Sequence, residues 1–228
     1  VVVAAAAAAD ILPPAPPVPV VQEIKLSSYV VYPEEYANGF TGADNIVCDK
    51  DPINSREGGG QMLFLKYMFH LKNPETGTVR IVRNPFLWNT PNGMHFPKGV
   101  NTWPDGKVTM LASCGEFWKD NPFMIAQVNA FEAIRHKCIQ FVVDKSWNSP
   151  YPNTFEAVDE HFSPVMFIGT NATGEKTYPP SFKASLIIAG KGHSEIYEYA
   201  DKPPLKPLMY AEVPPGSQGT LIVHIAWI

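Results

Sequence analysis

From Gln22 onward the chain reads as short runs of alternating apolar and polar residues, separated by turn signals. Strand-like stretches fall at about 24–32, 61–71, 78–83, 107–112, 136–144, 164–169, 182–189, 194–199 and 219–227, most of them rich in β-branched or aromatic side chains. In 61–71 the odd positions Leu63, Leu65, Tyr67, Phe69 and Leu71 make one apolar face, with Lys66 and His70 on the other. That is the two-residue period of a half-buried strand. The last stretch sets Leu221, Val223, Ile225 and Trp227 against Ile222, His224 and Ala226. It is apolar on nearly both faces, so a central place in a sheet is expected. Asn38-Gly39, Thr76-Gly77, Asn92-Gly93, Asp105-Gly106 and Pro214-Pro215-Gly216 punctuate the runs with the residues that tight turns demand.

One segment carries a different period. Asp120 or Asn121 can cap a helix, Pro122 takes its favoured first position, and Met124, Val128, Phe131 and Ile134 form one stripe at helical spacing. A short inserted helix over about 121–135 is predicted. It is expected to lead straight into a strand, HKCIQFVVD at 136–144, with Ile139, Phe141 and Val143 on one side and Cys138, Gln140 and Val142 on the other.

The first 21 residues are of another kind, with six consecutive alanines and then five prolines between Pro13 and Pro19. Proline fixes an extended, polyproline-like course and cannot donate to a sheet ladder. Residues 1–21 therefore read as an extended Ala/Pro-rich arm preceding one domain over 22–228. The arm is expected to lie against neighbouring subunits rather than its own core.

Composition narrows the class. Among 228 residues, 45% hydrophobic and 18% charged, stand 23 prolines and 16 glycines, too many helix breakers for a bundle or a coiled coil. An all-β sandwich or barrel is the expectation, since such folds often exceed 200 residues in one domain. No apolar run reaches the roughly 18 residues that cross a bilayer as a helix, so no membrane insertion is expected. Cys48, Cys114 and Cys138 are an odd number without metal spacing and read as buried thiols.

The search for chemistry returns little. The chain holds no nucleophile elbow, Walker loop, H-E-x-x-H, EF-hand loop or Rossmann glycine pattern, so neither an enzyme nor a cofactor is expected. Cys114 and His161 read as a structural thiol and part of a solvated acidic loop. Asp44, Asp49 and Asp51, near Glu57, are weak calcium candidates beside the plainer reading of a solvated loop. Arg135, His136 and Lys137 end the predicted helix. Cations there complement unpaired carbonyls, and the sharper reading makes them a subunit or nucleic-acid contact.

The run NPFMIAQVNAFEAIRHKCIQFVVDKSW, with Phe131 and Arg135 at its turning point, resembles the helix and following strand of single jelly-roll capsid proteins of small icosahedral viruses. The close AEVPPGSQGTLIVHIAWI is similar to the same family's proline-glycine turn and long terminal strand, and the Ala/Pro-rich arm fits as well. The resemblance implies an eight-stranded antiparallel jelly roll. It also implies a coat protein that self-assembles, in the host cell, into an icosahedral virion with identical or homologous subunits around a viral nucleic acid. One departure is the arm's charge: Lys25 is the only basic residue before Lys50, whereas many such coats carry a strongly basic arm to neutralise the genome. The alternative is a secreted or cell-surface β-sandwich that binds a glycan or a protein through aromatics such as Trp88, Trp103, Trp118 and Trp147. A cupin-like enzyme is the third reading, and His70, His136 and His224 lack the closely spaced partners it needs.

Overall fold

The computed structural model describes residues 2–5, 29–54, 61–73, 75–147, 152–170, 173, 178–187, 194–199 and 205–225. The proline tract 13–19, the glycine runs at 58–60 and 190–192 and most of the predicted strand 24–32 lie outside the described residues. In chain order the elements are β1 (Val2–Ala5), β2 (Val30–Val31), α1 (Pro33–Tyr36), β3 (Ile46–Val47), β4 (Ile53–Asn54), β5 (Gln61–Met62), β6 (Lys66–Lys72), β7 (Val79–Pro85) and β8 (Leu87–Asn89). β9 (Met94–Phe96), β10 (Val100–Thr102), β11 (Val108–Ser113), α2 (Pro122–Asp144) and α3 (Phe155–Asp159) follow. The chain closes with β12 (Ser181–Leu186), β13 (Glu195–Glu198), β14 (Pro207–Leu208), β15 (Ser217–Gly219) and β16 (Ile222–His224). The molecule is mostly β, in several small antiparallel sheets with few helices.

The chain divides into two compact units, each assembled from separate stretches. The first takes Val1–Val30, Asn89–Phe117 and Ile168–Val223. Its main sheet has the order β10-β11-β9-β15, with β12 also paired to β11. β12 shows the alternation the sequence predicts, Phe182, Ala184 and Leu186 buried and Lys183 and Ser185 exposed. A second sheet, β1-β13-β14, places Val2–Ala5 parallel to Glu195–Glu198 of the same unit. The expectation that the arm avoids its own core thus fails for its first residues, which precede the prolines and keep every ladder donor. Gly99, just before β10, has φ +58°, and a Cβ there would stand 2.5 Å from the Val213 carbonyl oxygen.

The second unit takes Val31–Trp88, Trp118–Phe167 and His224–Ile228. β6 and β7 form a hairpin in register from Lys66↔Pro85 to Lys72↔Val79, and β3 joins β6 on its other side. Gly77, at φ +70°, lets its N–H donate to the Asn73 carbonyl in the turn between them. Leu63, Leu65, Tyr67 and Phe69 are all buried, so the alternation read from 61–71 holds. The core is aromatic: Trp88 stacks on Tyr36 at 4.3 Å and meets Phe40, Phe86 and Phe131 at 5.3, 6.1 and 5.2 Å. Pairs at these spacings add stabilisation beyond their buried area.

Three expectations are corrected. The predicted strand 136–144 is helix: α2 runs unbroken over 23 residues from Pro122 to Asp144. Met124, Gln127, Phe131, Ile134, Cys138 and Val142 are buried at steps of three and four, so the helical period continues where two-residue alternation was read. Of the predicted terminal strand 219–227, the described residues hold only Gly219, at the end of β15, and β16 (Ile222–His224), and β16 ends its sheet in the order β16-β8-β2 rather than lying centrally; residues 226–227 lie outside the described residues. Between β15 and β16 the Leu221 N–H donates to the Thr90 hydroxyl and its carbonyl accepts from the Thr90 N–H. Residues 164–169 form no strand but an irregular stretch with an isolated bridge.

Candidate functional site

The basic trio singled out from sequence, Arg135, His136 and Lys137, lies on α2 in the second unit. Asn121 caps the helix, its side-chain oxygen accepting from the N–H groups of Phe123 and Met124 at 3.0 and 3.3 Å, as its sequence position predicts. At the far end Ser146 adopts φ 56°, a left-handed stop usually made by glycine. Its N–H donates to the Val143 carbonyl, and that of Trp147 to the Val142 carbonyl.

Because α2 continues to Asp144, Arg135 and Lys137 sit mid-helix and cap nothing. Arg135 turns inward, its side chain 12% exposed, and pairs with Asp159 at 2.6 Å and Glu132 at 3.2 Å. Its guanidinium also donates to the Asp159 and Phe162 carbonyls at 3.0 and 3.2 Å. Arg135 thereby holds α3 and the turn after it to α2. His136 is exposed, faces Glu132 at 3.0 Å and lies edge-on to Phe155. Lys137 reaches Asp44 at 3.1 Å. Arg135 and His136 thus share Glu132, while Lys137 turns to Asp44.

The acidic candidates disperse in the same way. Asp44 is spent on Lys137, Asp49 pairs with Lys66 and Arg83 at 3.2 and 3.3 Å, and Asp51 is exposed. Among the described residues no three His, Cys, Asp or Glu side chains gather closely enough to hold a metal ion. All three cysteines are free thiols, with Cys114 and Cys138 buried. Burial pushes the Cys138 thiol up to about 12, which removes it from nucleophilic chemistry.

Two surface features went unread in the sequence. On the second unit, β7 pairs only with β6 among the described residues and ends its sheet. Its Val79 and Ile81 are 54% and 57% exposed, although apolar side chains on a seven-residue end strand invite pairing with another chain. On the first unit a groove of about 660 Å³ runs between β10 and the β13–β14 hairpin, lined by Val100, Thr102, residues 194–197 and residues 207–211. Tyr210 stands in it with its hydroxyl donating to the Ser194 carbonyl at 2.7 Å, and the Tyr197 hydroxyl donates to Glu195 at 2.6 Å. The Glu195 carboxylate accepting that proton raises the Tyr197 phenol above its ordinary value.

These surfaces belong to a mostly β chain with few helices and several small antiparallel sheets. Comparison with protein-family models, curated proteins and solved structures finds no match. Among the described residues no helix is long and apolar enough to cross a membrane.

Proposed function

We propose that the chain is a structural coat protein, a jelly-roll subunit that assembles with copies of itself into an icosahedral shell around a viral nucleic acid. The observation that carries the self-association is β7, an end strand with Val79 and Ile81 held out to solvent. A second copy can pair with this edge without placing two arginines directly opposite each other. Antiparallel pairing centred on Val82 sets Arg80 against the partner's Asn84 and Ile81 against the partner's Arg83, so no two arginines meet. The jelly-roll and virion parts of the reading rest on the resemblance of the proline-glycine turn and the arm. Arg135 belongs to the fold in this reading, and His136 and Lys137 are the members of the trio left for a subunit or genome contact.

Negative-stain microscopy and light scattering test it. Uniform hollow particles some hundreds of ångströms across are expected from the purified chain, and Ile81→Lys should leave folded, soluble subunits that do not assemble. A wild-type chain that stays monomeric at tens of micromolar, or an Ile81→Lys chain that assembles normally, overturns the proposal. A second reading, a surface module that binds glycans, is favoured by Trp103, 47% exposed. Its indole N–H donates to Thr109 at 2.9 Å and the Lys183 ammonium lies 4.5 Å over the ring, a fixed aromatic platform. A monomer whose glycan binding vanishes in Trp103→Ala would decide for that reading.

A further inference from the structure

We infer that the turn end of the β6–β7 hairpin is a phosphate site, one that takes the backbone of a nucleic acid. From Lys66 to Pro85 the hairpin carries Lys66, Lys72, Arg80 and Arg83 against one acid, Glu75, in a chain with 18 basic and 22 acidic residues overall. Its charge therefore runs against the sign of the whole molecule, which draws a polyanion to this one surface. The coat reading supplies the source of the nucleic acid; the site itself rests on the hairpin alone.

The four cations divide into two pairs. Lys66 and Arg83 share Asp49 at 3.2 and 3.3 Å. Lys72 and Arg80 are exposed, and their side chains make no hydrogen bond or ion pair among the described residues. Both line a cavity of about 570 Å³ with Leu71, Asn73, Glu75 and Thr78. Glu75, the only acid on that lining, is paired with neither of them. The lining thus carries one net positive charge, which one phosphodiester balances.

The turn fixes the backbone that carries the two free cations. The Asn73 side-chain oxygen accepts from the N–H groups of Glu75 and Thr76 at 2.8 and 3.2 Å, and the Asn73 N–H donates to the Thr78 carbonyl at 2.9 Å. The register sets Leu71 opposite Arg80 and Lys72 opposite Val79, so the cations stand on adjacent rungs and opposite faces and reach the cavity from two sides. A guanidinium fork matches two oxygens of one phosphate, and an ammonium adds a point charge. Away from the turn, His70 and then Lys66 follow Lys72 on the outward face of β6, with Arg83 tied beside Lys66 through Asp49. That row spans about 20 Å, which suits successive phosphates of one strand better than a single free phosphate.

The test titrates the full chain into a fluorescein-labelled oligodeoxythymidylate of about 20 nucleotides and reads anisotropy from about 25 to 200 mM salt. Protein is kept at concentrations where light scattering shows single subunits. Lys72→Gln with Arg80→Gln should weaken binding at least about tenfold at low salt and flatten the slope of log K against log salt by about 1.4, two phosphate contacts at about 0.7 each. Lys98→Gln with Lys145→Gln removes the same charge from exposed positions elsewhere and should keep the wild-type affinity and slope. Lys72→Arg with Arg80→Lys should bind as wild type does. No binding by the wild-type chain, equal losses in the two Gln pairs, or equally tight binding of a poly-glutamate of the same length overturns the inference. So does a loss in the Lys72/Arg80 variant that is seen on phosphatidylserine vesicles and not on the oligonucleotide. Hairpin-dependent binding by a chain that never forms particles supports the site and counts against the coat reading, and particles from a chain that does not bind do the reverse.

Discussion

The two units solve the problem of a core in different ways. The second gathers Tyr36, Phe40, Tyr67, Phe86 and Trp88 around one face of α2, and every described ring–ring contact falls within it. The first builds its interior from Met94, Phe96, Met110, Ala112, Phe182 and Leu186 on strands of three to six residues, brought together from stretches of chain far apart in sequence. A long helix is one local element that presents many anchors at once, so the second unit concentrates its stability on a few large side chains. Short strands must each be held by neighbours and turns. Backbone geometry at the turns should therefore matter more in the first unit, and side-chain volume in the second.

The largest expected effect is in the aromatic core. Phe131, 2% exposed, lies 5.2 Å from Trp88, and Phe131→Ala should cost about 3–5 kcal/mol through lost burial and a residual cavity. Hydrogen exchange should speed up over Val31–Trp88 and α2 while β9 to β12 keep their protection. Equal loss in both units would break the comparison.

Arg135 is the polar counterpart in the same unit. Arg135→Gln keeps much of the side-chain volume but leaves the part-buried Asp159 and Phe162 carbonyls without their donor, at a cost of about 2 kcal/mol. Exchange should rise first at α3. An unchanged urea midpoint would mean that the clamp contributes nothing.

In the first unit the sensitive place is a turn. Gly99→Ala would force a side chain into φ +58° and onto the Val213 carbonyl, a strain of about 2 kcal/mol. Protection should fall in β9 to β11 and β15 and hold in α2, the reverse of the Phe131 result.

Alkaline pH probes the second unit without changing its shape. Burial raises Cys138 from 9.0 to about 12, so the folded chain keeps this proton after the unfolded chain has lost it. Its stabilising contribution is therefore whole below pH 9 and is lost as pH rises through 12, at up to about 1.4 kcal/mol per pH unit. Urea midpoints followed from pH 8 to 10.5 should fall more steeply for wild type than for Cys138→Ala. Parallel curves would contradict it.

The smallest effect is a gain. Ser146 at φ 56° holds a conformation that glycine adopts without strain, so Ser146→Gly should raise stability by about 1 kcal/mol. A loss would show that the Ser146 side chain matters more than its backbone.

The helix start was legible because its signal is local: Asn121, Pro122 and the stripe at Met124, Phe131 and Ile134 lie within four turns. Its end was not, because Ile139, Phe141, Val142 and Val143 have strand propensity and also alternate. An apolar run of that length fits both periods, and only the folded chain, which buries Ile134, Cys138 and Val142 along one helical stripe, selects the helical one. The same limit hid Gln127, fully buried with its side-chain oxygen accepting from the Trp88 indole N–H, where the sequence pointed to Val128 beside it. It also hid that Lys137 turns to Asp44 while Arg135 and His136 share Glu132, since adjacent residues on a helix face different ways.

What the sequence by itself determined is the β-rich class, the alternation of β6 and β12, the glycine turns and the Asn121 cap. Each depends on residues within one turn or one strand of each other, and short-range sterics and hydrogen bonding suffice to decide them. Only the tertiary structure decided that α2 runs to Asp144, that the end of the chain divides into β15 and β16, and that Val2–Ala5 pairs with β13. It alone assigned Arg135 to the interior and left Val79 and Ile81 outside. These depend on which distant surfaces are available to cover an apolar face or satisfy a charge, and that is a property of the folded chain rather than of any segment in it.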